Sequence, residues 1–234
     1  MPLPDGVVLA GPVEGLEGAH ILGPCVLGHP TSEGEELPLV LGPGTVIRTF
    51  AVLYQGSTLG AGVHIGHGAL VRERNVLGEG ASVGSATQLE PGNRIGARTR
   101  IHSGGFLSNV CLGDDVFCGP RVVFTDDPHP PCPRYVDCVG GARVEDDVSI
   151  GAGAVLLPGV TVGRGCLVAA GAVVTRSVEP GRVVAGNPAR ALRRREELPC
   201  SAGHFSHAYA WISEPGRRDG IGDVSRRSSP WRES

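Results

Sequence analysis

The sequence predicts an all-β fold, a parallel solenoid of stacked three-sided coils, and three observations carry that expectation. Stepping by six from Leu41 meets only aliphatic residues: Ile47, Leu53, Leu59, Ile65, Val71, Leu77, Val83, Leu89, Ile95, Ile101 and Leu107. Four residues after each stands a mostly small side chain, from Thr45, Ala51 and Ser57 to Thr99 and Gly105, and Gly often follows directly, as at Gly42, Gly60, Gly66, Gly78, Gly84 and Gly96. A helical period of about 3.6 residues would scatter step-six positions around the axis, so an amphipathic helix cannot collect them.

Each hexad reads as a short strand and a corner. The aliphatic residue and the small residue two before it share one strand face, and Gly accommodates the turn. One hexad cannot bury its own apolar side chain, but stacked coils can, and three hexads make one triangular turn of about 18 residues. The phase slips by one between Leu107 and Leu112, runs through Cys118 and Phe124, and resumes at Val144, Ile150, Leu156, Val162, Val168 and Val174. Residues 125–143 therefore read as a loop excursion from the solenoid of residues 41–186, and long loops in compact domains are commonly functional. Residues 1–40 carry weaker repeats and read as irregular opening coils with a loop at His29 to Pro38. Asn187-Pro188 followed by good helix formers predicts a capping helix over 187–199. The Gly-, Ser- and Arg-rich tail, 200–234, is expected to be partly disordered.

Composition narrows the chemistry. With 37 Gly, 19 Pro and 4% aromatic residues, many tight turns coexist with an aliphatic core. All 21 basic residues are Arg, which removes Schiff-base lysine chemistry and the phosphate-binding lysine of a P-loop. A net charge of -3 offers no general field for nucleic acid. Seven Cys in no disulfide-like framework, and no leader pattern, point to a reducing cytoplasm, and no apolar run approaches the roughly 20 residues of a membrane helix.

Several segments resemble the hexapeptide-repeat acyltransferases, over approximately Leu41 to Arg195. They are Ile65-Gly66-His67, Val71-Arg72-Glu73-Arg74-Asn75-Val76-Leu77-Gly78, Val116-Phe117-Cys118-Gly119-Pro120 and Phe124-Thr125-Asp126-Asp127, then Ile150-Gly151-Ala152, Leu157-Pro158-Gly159-Val160, Gly171-Ala172-Val173-Val174-Thr175 and Gly186-Asn187-Pro188-Ala189-Arg190. The nearest likeness is to members that N-acetylate nucleotide-linked amino sugars, although those commonly have Asn where this chain has Asp126. The resemblance implies a left-handed β-helix, a homotrimer with active sites between neighbouring prisms, and acetyl-CoA as cosubstrate.

Acetyl transfer to an amine needs a reachable thioester, donors for the developing oxyanion and a proton sink. Histidine suits the last role, and the expected candidates are His129 in the excursion loop and His67 at a corner one hexad before Glu73. Each is otherwise an ordinary solvated histidine. Glu73, Asn75, Asp126 and Asp127 are expected to contact the acceptor, with turn capping as the bland alternative for the aspartates. Small residues Gly151, Ala152, Ala169, Ala170 and Gly171 let the coenzyme approach the backbone, with Arg176, Arg182 and Arg190 for its phosphates and Asn187-Pro188 beside them. His129, Cys132 and Cys138 also offer a zinc knuckle with Asp127, against ordinary loop thiols as the other reading. Rival functions are transfer to another amine or hydroxyl, a γ-type carbonic anhydrase-like zinc enzyme, which His67 and His102 suggest but Leu107 contradicts where that family has a histidine, and a non-catalytic trimeric scaffold.

Overall fold

A computed structural model describes residues 3–32, 34 and 36–213. Its first compact unit, Met1–Arg194, has the three-sheet, hexad-paced architecture of a left-handed parallel β-helix. Sheet A has nine strands, from Val7–Leu9 to Val173–Val174, and sheet B eight, from Val13–Glu14 to Thr161–Val162. Sheet C has ten, from His20–Ile21 to Arg182–Ala185 with Arg190–Arg194 at its end. The register is the one the repeat demands: Leu53 pairs with Val71, and Val71 with Leu89. All twelve step-six aliphatics are 0–3% exposed and form the central column. The slip after Leu107 shortens one corner, so Ile95 pairs with Leu112 and Leu107 with Phe124.

Two expectations about the ends of the solenoid are corrected. Residues 1–40 are regular coils, because Val7–Leu9 pairs with Cys25–Leu27, Val13–Glu14 with Leu39–Val40 and His20–Ile21 with Val46–Ile47. Their hexads are obscured by the His29–Pro38 insertion. The helix expected over 187–199 is absent: Arg190–Arg194 is a strand antiparallel to Arg182–Ala185, followed by a 3-10 turn, Arg195–Glu197. A hairpin satisfies the open backbone edge of sheet C, which a helix laid across it would leave unpaired, and its arginines discourage further strand addition.

The second unit, Arg195–Ser234, is described only to Ser213. Residues 200–213, in the tail expected to be partly disordered, hold a small aromatic cluster in which Trp211 meets Phe205 and Tyr209, and Arg195 stacks 4.0 Å over Tyr209. The remainder of the tail, 214–234, lies outside the described residues. No helix among the described residues is long and apolar enough to cross a membrane.

The three corners differ in character. The BC corner is a charge ladder: Arg98 grips Asp115 through Nε and Nη2, at 3.0 and 2.7 Å, and Arg164 pairs with Asp146. Asp114 and Asp146 also accept backbone N–H groups of adjacent coils. Its carboxylates are engaged in holding coil to coil. The AB and CA corners carry the residues singled out for chemistry.

Candidate functional site

Both insertions in the solenoid leave from the AB corner, and between them runs a continuous polar and aromatic column. His29 stacks on Tyr54 at 4.4 Å, and the Arg72 guanidinium lies 5.9 Å from the Tyr54 ring centre. Arg72 binds Glu73 and Glu90, both at 2.9 Å. Above them Asp126 Oδ2 accepts hydrogen bonds from Ser108 Oγ and the Tyr135 phenol, both at 2.8 Å. Burial first, then the bond to Asp126 and the charges of Asp126, Asp127 and Glu90, push the Tyr135 phenol up to about 12. It therefore remains a donor at neutral pH and fastens the excursion loop to the corner. Asp127 Oδ1 accepts the His129 N–H at 2.8 Å, and the exposed His129 ring makes no hydrogen bond among the described residues.

Tyr54, Glu90 and Ser108 belong to no motif, and Arg72 only to a family-like segment. Their signal is spacing: with Asp126 they recur every 18 residues, and the coil length turns that spacing into one stack. Tyr135 lacks even that cue, because an irregular loop returns it to the column.

Two expectations fail here. Glu73 and His67 are one hexad apart, which places them on successive corners. Glu73 is neutralised by Arg72, and His67 Nδ1 is instead 2.7 Å from Thr49 Oγ1. Asn75, expected to contact the acceptor, is fully buried. Its Oδ1 accepts the Asn93 backbone N–H and Nδ2, at 3.1 and 2.9 Å, while its own Nδ2 donates to the carbonyls of Arg72 and Glu90. Asn75 is thus a rung of an inner corner ladder. Asn75→Ala is expected to destabilise the chain by about 1–3 kcal/mol, since it strands buried donors and acceptors. Denaturant unfolding checks the loss, and an unchanged acceptor KM would accompany it.

The CA corner gathers the small residues singled out for the coenzyme, whereas Arg176 lies between Val174 of sheet A and Val178, which bridges to sheet B. Gly151, Ala152, Ala169, Ala170 and Gly171 occupy successive coils there, and Asn187-Pro188 follows, held by Ala189 N donating to Val173 O and Val173 N to Gly186 O. A Cβ on Gly151 would lie 2.3 Å from the Ala170 nitrogen, so this glycine is required by coil stacking. Gly171, at φ +69°, serves the turn, with open space where a side chain would project. His67 shares the CA corner, about 19 Å below Ala152 at ~4.8 Å per coil. Arg176, Arg182 and Arg190 line a cavity of about 300 Å³ at the C-terminal end of the solenoid, with Glu179 4.0 Å from Arg182 Nε.

The zinc knuckle does not assemble: among the described residues no three His, Cys, Asp or Glu side chains converge as a metal site.

A family model described as bacterial transferase hexapeptide (six repeats) matches residues 141–176. A 2,3,4,5-tetrahydropyridine-2,6-dicarboxylate N-acetyltransferase of Staphylococcus aureus is 56% identical over 55 residues, 24% of this chain and 23% of that protein. The chain thus matches under a quarter of the length of such curated relatives. A hexapeptide-repeat acetyltransferase of Vibrio cholerae, solved with acetyl coenzyme A, is 34% identical over 50% of this chain and 69% of its own, with a TM-score of 0.45. A GDP-perosamine N-acetyltransferase of Caulobacter crescentus, solved with coenzyme A and GDP-perosamine, is 21% identical over 61% of this chain and 56% of its own, with a TM-score of 0.32.

Proposed function

Because the chain belongs to the hexapeptide-repeat transferase family, we propose that it is an acetyl-CoA-dependent N-acetyltransferase acting on the amino group of a small molecule, a nucleotide-linked amino sugar. The observation that carries this reading is the division of the two candidate residue sets between two corners. Acceptor candidates Asp126, Asp127 and His129 stand on the AB corner with the loop, and donor candidates Gly151 to Gly171 stand on the CA corner. Sheet A separates the corners, so one chain cannot bring the sets to one reacting centre. A homotrimer brings the AB corner of one copy to the CA corner of the next, because a heterologous interface repeats around a closed ring. The outer face of sheet A supports self-association: Val52, Leu70, Phe106, Val123, Val155 and Val173 form an apolar stripe, interrupted only by Gln88 between Leu70 and Phe106, that a single chain leaves half-buried.

In this reading the coenzyme lies along the CA corner, with its phosphates toward Arg190 beside the terminal cavity. The acidic AB corner attracts a cationic amine, and the second oxygens of Asp126 and Asp127 hold it. His129 takes one proton from the ammonium group, and the neutral nitrogen so formed attacks the thioester carbonyl and passes its second proton to the departing sulfur. The C–N bond forms, the C–S bond breaks, and the thiolate of the coenzyme leaves to be protonated. The S. aureus relative is an N-acetyltransferase by name, which supports an amine acceptor.

A panel of nucleotide amino sugars and small amines, incubated with acetyl-CoA while free thiol is followed, tests the proposal. Acceptor-dependent thiol release with an N-acetylated product is expected. No binding of acetyl-CoA by calorimetry would overturn it in favour of a scaffold.

A further inference from the structure

All seven cysteines are free, but they differ in what they can do. Cys25, Cys118 and Cys166 are buried in the solenoid, and burial pushes the first two thiols up to about 11 and about 12. These are inert packing groups.

Cys132 and Cys138 are placed differently, on the excursion loop, half-buried and exposed respectively. Tyr135 N donates to Cys132 O at 3.1 Å and Val139 N to Tyr135 O at 2.8 Å, so the chain turns back on itself through the short helix Tyr135–Cys138. Both sulfurs then meet the backbone of one residue. Arg134 N donates to Cys132 Sγ and Cys138 Sγ donates to Arg134 O, each at 3.4 Å. Desolvation first, and then the neighbouring Cys132 thiol, raise the Cys138 thiol above its ordinary value. Among the described residues no third His, Cys, Asp or Glu converges with them as a metal site. Two thiols anchored on the backbone of one residue of an accessible loop are placed to approach the ~2.05 Å of a disulfide bond.

We propose that Cys132 and Cys138 are a redox-active dithiol that closes into a disulfide within the loop by exchange with a small-molecule disulfide. One thiolate attacks a sulfur of the small disulfide, forming a mixed disulfide and releasing one small thiolate. The second cysteine thiolate attacks the protein sulfur of that mixed disulfide and expels the other small thiolate. The protein loses two protons and two electrons, and the small disulfide becomes two thiols. The closed ring contains Tyr135, the residue that fastens the loop to Asp126, so oxidation acts on the acceptor side of the site. That consequence rests on the transferase reading, whereas the thiol chemistry does not.

The test incubates the full chain with oxidised glutathione, blocks remaining thiols with an alkylating agent, and maps peptides by mass spectrometry. The expected product is an unalkylated, glutathione-free peptide with residues 132 and 138 linked. Cys132→Ser and Cys138→Ser should each accumulate a glutathione adduct on the remaining cysteine instead. A wild-type loop that keeps its mixed disulfide, or that is alkylated at both positions while Cys200 reacts, overturns the proposal. Because the readout is the peptide, it is decided even if the chain proves to have no transferase activity.

Discussion

Ile95→Asp is expected to yield unfolded or aggregated chain. Ile95 is 3% exposed and sits in register between Leu77 and Leu112 in the middle of sheet B, with no polar partner on the inner face. An unpaired carboxylate there costs several kcal/mol, out of a total stability on the order of 5–15 kcal/mol for a domain. A stacked solenoid makes the damage worse, because each coil is stabilised only by its neighbours. Ile95→Val, which keeps the apolar surface, should cost about 0.5–1.5 kcal/mol and remain folded. Circular dichroism and sedimentation distinguish the two variants. Unchanged melting of the Asp variant would mean that the aliphatic column is not what holds the coils together.

The largest expected effect on turnover is that of His129→Ala, a fall in kcat of roughly 10²- to 10⁴-fold with little change in coenzyme affinity. The loop geometry does not depend on the ring: Asp127 holds the main-chain N–H of residue 129, and Tyr135 and Ser108 hold Asp126. The variant should therefore melt as the wild type does. His67→Ala changes the opposite corner, where the ring contacts Thr49, and is expected to raise the acceptor KM more than it lowers kcat. Steady-state kinetics over a pH range around neutrality checks both. Full activity in both variants would assign the reaction to direct attack by an already neutral amine.

The solenoid was legible because its physics is periodic. A strand face, a corner and a coil each have a fixed residue count, so the step of six placed every residue of the buried column from Leu41 to Leu107. The same arithmetic explains the errors. His67 and Glu73 are close in sequence, but six residues is one side of a triangle, so nearness in sequence placed them on different corners. Asn75 has the composition of a ligand-binding residue, and only its position four after Val71 marks it as an inner ladder rung. The C-terminal segment obeyed helix-capping preferences, yet the open edge of sheet C outweighed them. Tyr135 was illegible because no period governs the 125–143 loop, and only the fold returns it to Asp126.

The claim that the site is completed between copies is tested most directly by complementation. His129→Ala disables the AB corner, and Ala170→Trp places an indole at an exposed CA-corner position where the coenzyme is proposed to run. Each variant alone should be a nearly inactive trimer. Co-expressed in equal amounts, they should recover about a quarter of wild-type activity, since random assortment pairs an intact AB corner with an intact CA corner at that fraction of interfaces. Mixed trimers, verified by native mass spectrometry, whose activity does not exceed that of the parent variants would contradict a site shared between neighbouring chains.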